Sequence, residues 1–176
     1  MSTALTKIGW DLTVLVAKSF ENEVKLFKKL SMSKNLSGLI ISRTLRNDER
    51  FKILTDLKIP FVAHGRSLNC NSASWLDVDN ERAFYDMTKH FISLGHRKIA
   101  HICGPKVYNF SIQRIEGWKK ALYETGIQIK SEFLQVADLS FDGGKIAMDK
   151  LLKLKDLPTA VSLSLIHISE PTRRLS

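Results

Sequence analysis

Residues 93–118 read SLGHRKIAHICGPKVYNFSIQRIEGW, and the order of elements within them decides the fold. Gly95 closes a helix, because glycine takes the left-handed backbone that ends helices without a Cβ clash. Ile99 to Cys103 is a short apolar run stopped by Gly104-Pro105, the pattern of a buried strand. A loop holding Tyr108, Asn109 and Phe110 leads into a helix that carries Arg114 and Trp118. In open α/β sheets, ligands bind in the crevice beyond the carboxyl ends of the strands. Aromatic rings followed by an arginine, at such a strand end, form a candidate binding rim.

The same alternation runs outward in both directions. Upstream, residues 3–8 have helical spacing closed by Gly9, and 11–16 form a β-rich run. Ser19 can cap a helix whose apolar face is Val24, Phe27 and Leu30, with Leu26 beside it. Strand 36–42, a helix bearing Phe51, Leu54 and Leu57, and strand 59–64 follow. After an irregular polar stretch, 75–78 offers a short strand. Asp79 or Asn80 can then cap a helix with Ala83, Phe84, Met87, Phe91 and Leu94 inward. Downstream come helix 111–125 with Ile115, Trp118 and Leu122, strand 132–138, helix 142–155 with Ala147, Leu151 and Leu154, and a strand opening at 157–161. Strands alternating with helices of this length predict an α/β fold: a parallel sheet with helices on both faces.

Composition narrows the class. A chain of 176 residues with 44% hydrophobic content can bury a core. It has no apolar run long enough for a transmembrane helix, and MSTALTKIGWDL does not spell a secretory signal. Cys70 and Cys103 stand far apart without metal-ligand spacing, and read as free thiols, Cys103 inside an apolar strand. The net charge of +9 invites a nucleic-acid reading, yet the basic residues are spread along helix faces, as in Lys25, Lys28 and Lys29. No phosphate-binding glycine loop or nucleophile elbow occurs, so the expectation is a protein that is not an enzyme and needs no cofactor. His96 and His101 lack partners at ligand spacing, and no metal is expected.

Leu94-Gly95-His96-Arg97-Lys98-Ile99-Ala100, then Gly104-Pro105, then Arg114-x-x-Gly117-Trp118, resembles the effector-binding domain of LacI/GalR-family transcription regulators. The likeness extends upstream through Ser37-Gly38-Leu39-Ile40-Ile41, Ile59-Pro60-Phe61-Val62 and Asp79-Asn80, and downstream to Leu157-Pro158-Thr159-Ala160-Val161. The motifs are specific as an ordered set and weak one by one. The resemblance implies a two-lobed, periplasmic-binding-protein-like architecture, incomplete here. Its first lobe spans 1–103 and lacks the first strand, and a partial second lobe spans 104–162, the chain crossing near Gly104. It further implies a cytoplasmic, sugar-responsive regulator, a repressor by expectation. Its partners are a small carbohydrate bound between the lobes, a second copy in a homodimer, and operator DNA held by a helix-turn-helix headpiece absent from this chain. A periplasmic sugar-binding protein of a transport system is the alternative on the same fold. Residues 163–173, LSLIHISEPTR, look like an in-frame translation of a sequencing-library adapter, so 163–176 is expected to be a non-native tail.

Arg114 is the leading site residue: its planar fork can hold sugar hydroxyls or a carboxylate, and the resemblance places a ligand-contacting arginine there. An exposed helix arginine is the plain alternative. Phe110, four residues earlier, can stack on a sugar ring or pack in the core. His64 and Arg66 follow strand 59–64 and Asp138 follows strand 132–138, which puts all three at the rim of the same crevice. Tyr108 is a weaker candidate. Asp77 and Asp79 suggest paired carboxylates, although helix capping explains Asp79 more simply.

Overall fold

The computed structural model describes residues 2–33, 36–70 and 73–164. The chain divides into two compact units, residues 1–39 with 49–61 and residues 40–48 with 62–176.

The first unit is helical. Helix α1 (Ser2–Thr6) ends at a turn in which Gly9 takes a φ of 73°, and α2 (Phe20–Ser31) begins where the Ser19 hydroxyl accepts from the Asn22 amide at 3.2 Å. Phe27 is the buried residue of the expected apolar face. Helix α3 (Glu49–Asp56) buries Phe51 and Leu54, and Phe51 meets Phe61 edge-on at 5.5 Å. The Arg50 guanidinium reaches from α3 to Glu23 of α2 at 3.1 Å.

One expectation fails in this unit. The run 11–16 is not a strand: it joins neither sheet among the described residues, and Trp10, Leu12, Val14, Leu15 and Val16 lie exposed. Period and β-branched residues supply propensity, but a strand exists only once a neighbouring backbone completes its ladder.

The second unit holds two three-stranded sheets. In the first, β1 (Leu39–Ser42), β2 (Phe61–His64) and β3 (Ser74–Leu76) lie in that order, with β2 and β3 parallel and His64 opposite Leu76. Helix α4 (Asn80–Ser93) follows, capped by the Asp79 carboxylate, which accepts from the Arg82 amide at 2.9 Å. Its buried stripe is Asn80, Phe84 and Thr88; Ala83 and Leu94, expected inward, are exposed.

The second sheet has the order β5-β4-β6, built from β4 (Ile99–Cys103), β5 (Leu134–Val136) and β6 (Ala160–Leu163), all parallel. Every residue of β4 is buried, as a central strand covered on both faces must be. Helices α5 (Asn109–Glu124) and α6 (Phe141–Leu152) cover it with Trp118, Leu122, Ala147 and Leu151, and the Trp118 indole donates to the Ile99 carbonyl at 3.3 Å. A methyl group on Gly117 would run into the Glu81 carbonyl and stand 2.9 Å from the Tyr85 nitrogen, so glycine sets how closely α5 approaches α4.

Strand pairing moves the expected lobe boundary. The sequence reading kept Ile99–Cys103 with the preceding strands and began a new lobe at Gly104; among the described residues β4 instead pairs with β5 and β6, which follow it. The change of sheet falls between β3 and β4, across α4. Gly104-Pro105 announces the end of a strand, which is local chemistry, and carries no information about which sheet the strand joins. At the start of the expected tail, Leu163 pairs with Ile102 and the Ser164 amide donates to the Ile102 carbonyl at 2.9 Å. Residues 165–176 lie outside the described residues. The two cysteines are free thiols, Cys103 buried and Cys70 half-buried.

Candidate functional site

The carboxyl ends of the parallel strands gather the candidate residues. The sequence reaches the crevice from β4 through Gly104, whose missing side chain leaves room for Leu139 and the Ser111 hydroxyl. Asn109 starts α5; its amide nitrogen donates to the Thr44 carbonyl at 3.2 Å and its side chain to the Arg66 carbonyl at 2.8 Å. A short antiparallel bridge joins Leu45 to Tyr108 beside it. The loop after β1, the loop after β2 and the start of α5 are thereby tied together.

Arg114 lies one turn into α5 and is half-buried. Its guanidinium carbon stands 5.3 Å from the Phe84 ring centre and 4.9 Å from that of Phe110, and Phe110 stacks on Tyr108 at 5.5 Å with planes 9° apart. Nε donates to Asn80 Oδ1 at 2.8 Å, and Nη1 donates to the Ser164 carbonyl. Burial pulls the Arg114 pKa below its ordinary value, and the Asp77 carboxylate partly offsets this. Arg114, the leading site residue of the sequence reading, is therefore held by Asn80 and Ser164 and is not the exposed helix arginine of the plain alternative.

Arg66 joins this cluster through buried polar groups. Asp77 Oδ2 accepts from the Arg66 amide at 3.1 Å and from its Nε at 3.3 Å, while Asp77 Oδ1 accepts from the Asn80 side chain at 3.1 Å. The Arg66 guanidinium also lies over Trp75 at 5.3 Å. Gly65, at a φ of 113°, makes the turn into Arg66, with the Thr44 hydroxyl where a Cβ would sit.

The other two expected residues stand apart. His64 ends β2 with an exposed side chain. Asp138 is exposed and folds onto its own loop: its Oδ1 accepts from the Ser140 hydroxyl at 2.5 Å and the Ser140 amide at 3.0 Å, which holds its pKa below the ordinary carboxylate value. Ser140 caps α6, accepting from the Gly143 amide at 3.0 Å, and Asp138 lies against Gly143, which leaves room for it.

Sequence reasoning passed over Asn80 as a possible helix cap and set Asp77 aside. The available signal was the phase of α4: Asn80 precedes Phe84 and Thr88 by one and two turns, so a polar group occupies the inward stripe. His101 is a further buried polar residue here, lying 5.1 Å from Phe84 and 6.0 Å from Trp118. The Ser162 hydroxyl donates to the Ala100 carbonyl at 3.2 Å, so the contact at 2.9 Å between that hydroxyl and His101 places the ring proton on Nδ1. Burial lowers the His101 pKa to about 4, and its Nε2 has no partner among the described residues. A polar cleft of about 480 Å³ adjoins the network; Arg66, Arg82, Tyr85, Gln113 and Lys120 line it, while Arg114, Phe110, His64 and Asp138 do not. Among the described residues no helix is long and apolar enough to cross a membrane, and no group of acidic, histidine or cysteine side chains has the arrangement of a metal site.

Residues 1–167 match the family described as periplasmic binding proteins and the sugar-binding domain of the LacI family. The chain is 38% identical over 152 residues to the transcriptional regulator AglR of Rhizobium meliloti, covering 86% of this chain and 43% of AglR. It is 31% identical over 148 residues to RafR of Escherichia coli, covering 84% and 44%. Its fold matches a LacI-type regulator from Bacillus cereus subsp. cytotoxis with a TM-score of 0.85 at 25% identity, over 92% of this chain and 58% of that one. A complex of the regulator CelR with cellobiose matches at 0.82 and 26% identity, over 92% and 50%. The chain spans less than half the length of these curated relatives.

Proposed function

This chain belongs to the family of periplasmic binding proteins and LacI-type sugar-binding domains, and from that premise we propose that it is the effector-sensing part of a sugar-responsive transcription regulator. The relatives named above are regulators, which favours that reading over a transport protein or an enzyme. The observation that carries it is Arg114: a half-buried guanidinium lying over two aromatic rings, its Nε bonded to Asn80 and its Nη1 to Ser164. Aromatic rings beside a planar donor fork match a sugar, which offers an apolar ring face and adjacent hydroxyls. Phe110, stacked on Tyr108, backs the guanidinium, Arg66 is a second cation, and His64 and Asp138 stand apart from this cluster. In the whole protein the effector shifts a two-state equilibrium, and a repressor dimer loses operator affinity in the cytoplasm. CelR, a structural relative, was solved with cellobiose.

The test uses the full-length gene product. Calorimetric titration with cellobiose and a panel of mono- and disaccharides is expected to find one sugar that binds, and Arg114→Ala to weaken it about tenfold or more, roughly 1.4 kcal/mol. An unchanged binding curve would remove Arg114 from the site.

A further inference from the structure

Asn80 is almost wholly buried, and its amide can sit only one way round. Its nitrogen faces three acceptors: Asp77 Oδ1 at 3.1 Å, the Val78 carbonyl at 3.1 Å and Gln113 Oε1 at 3.3 Å. A flipped amide would set an oxygen against all three, at the cost of a buried unsatisfied group. Oδ1 is thereby fixed toward Arg114 and takes its Nε proton at 2.8 Å. The guanidinium carbon lies over both rings, and Nη1 donates to the Ser164 carbonyl and, at 3.3 Å, to its hydroxyl, so Nη2 is what remains to meet a ligand. Asp77, which orients the Asn80 amide, also holds Arg66 by backbone and side chain. Two cations of the rim thus hang on one buried pair.

We propose that Asn80, oriented by Asp77, is the positioning residue that holds Arg114 by its Nε proton, so that Nη2 is presented to an oxygen of the effector. This rests on the reading of Arg114 as the effector-holding group. Asn80 does not touch the ligand; it takes the Nε proton, as Ser164 takes Nη1, and leaves Nη2. An aspartate at position 80 could pair with Arg114 but would face three acceptors. Exchanging the two residues, Asp77→Asn with Asn80→Asp, restores a carboxylate–amide pair, keeps an acceptor for Arg114 and removes the charged partner of Arg66.

The test has two arms, both on the full-length gene product. The first needs no ligand: the Nε–H resonance of Arg114 is identified by its loss in Arg114→Lys, and its exchange with water is measured. Asn80→Ala is expected to speed that exchange about tenfold or more, and the Asp77→Asn/Asn80→Asp exchange to bring it back to within about threefold of the wild-type rate. Exchange unchanged in folded Asn80→Ala overturns the proposal; should Asn80→Ala not fold, a folded Asp77/Asn80 exchange variant with an unprotected Nε–H overturns it instead. The second arm titrates cellobiose and its alditol into the wild type and into Asn80→Ala, each with and without Arg114→Lys. Asn80→Ala is expected to weaken cellobiose about fivefold when Arg114 is present and by less than about twofold when it is not. Equal losses in both backgrounds overturn positioning, whereas the expected exchange pattern with no sugar effect from Arg114→Lys retains positioning and removes Arg114 from the effector site.

Discussion

Ile99–Cys103 and the run 10–17 are the two most strand-like stretches of the chain, and only one is a strand. The first is bonded on both sides by parallel neighbours and each of its residues is buried. The second is as rich in β-branched and apolar residues, yet Val14 is 77% and Val16 85% exposed, and the run joins neither sheet among the described residues. The difference lies in what surrounds each run. Helices α5 and α6 lay Trp118, Leu122, Ala147 and Leu151 on β4, while nothing among the described residues completes a ladder for 10–17. Apolar pattern is a statement about what a segment can bury, and burial needs a partner.

Mutation separates the two regions, and the largest contrast comes from tryptophan. Trp118→Ala empties a fully buried site and strands the Ile99 carbonyl, so denaturant unfolding should show a loss of about 3–5 kcal/mol. A loss near zero would mean that the β4 layer is not the stable core. His101 gives the next effect. Its ring is held neutral, with a pKa lowered to about 4 from 6.5, so the unfolded chain takes up a proton that the folded chain refuses. Its contribution is complete above the unfolded value and is lost as pH falls from about 6.5 toward 4, up to roughly 3 kcal/mol. His101→Gln should flatten the stability–pH curve by that amount relative to wild type; parallel curves would refute the buried neutral ring.

Smaller effects follow. Gly117→Ala forces α5 away from the α4 backbone and should cost about 1–3 kcal/mol in thermal unfolding, although alanine favours helix. Trp10→Ala, the counterpart of the first substitution, should move stability by no more than about 0.5 kcal/mol, since half of that side chain is already in water. A large loss there would give 10–17 a buried role and dissolve the contrast.

Much of the candidate site could be read along the chain. The spacing from Gly104-Pro105 to Arg114 and Gly117-Trp118 pointed to a rim at a strand end, and Arg114 and Phe110 do meet at 4.9 Å. Arg66 joined them for a reason invisible in sequence, because Asp77 is eleven residues away and Asn80 looked like a cap. Asp138 was placed at the right strand end but turns to Ser140, as a short side chain beside a serine can satisfy itself locally.

The sequence by itself determined the succession of helices and strands, the burial of Ile99–Cys103 and the arginine-bearing helix after it, because periodicity, glycine stops and caps act within a few residues of chain. Tertiary structure alone decided that β4 joins the strands after it, that 10–17 stays outside the sheets, and that Asn80 aims Arg114. Each of those depends on hydrogen bonds between residues far apart in sequence, whose partners no local pattern names.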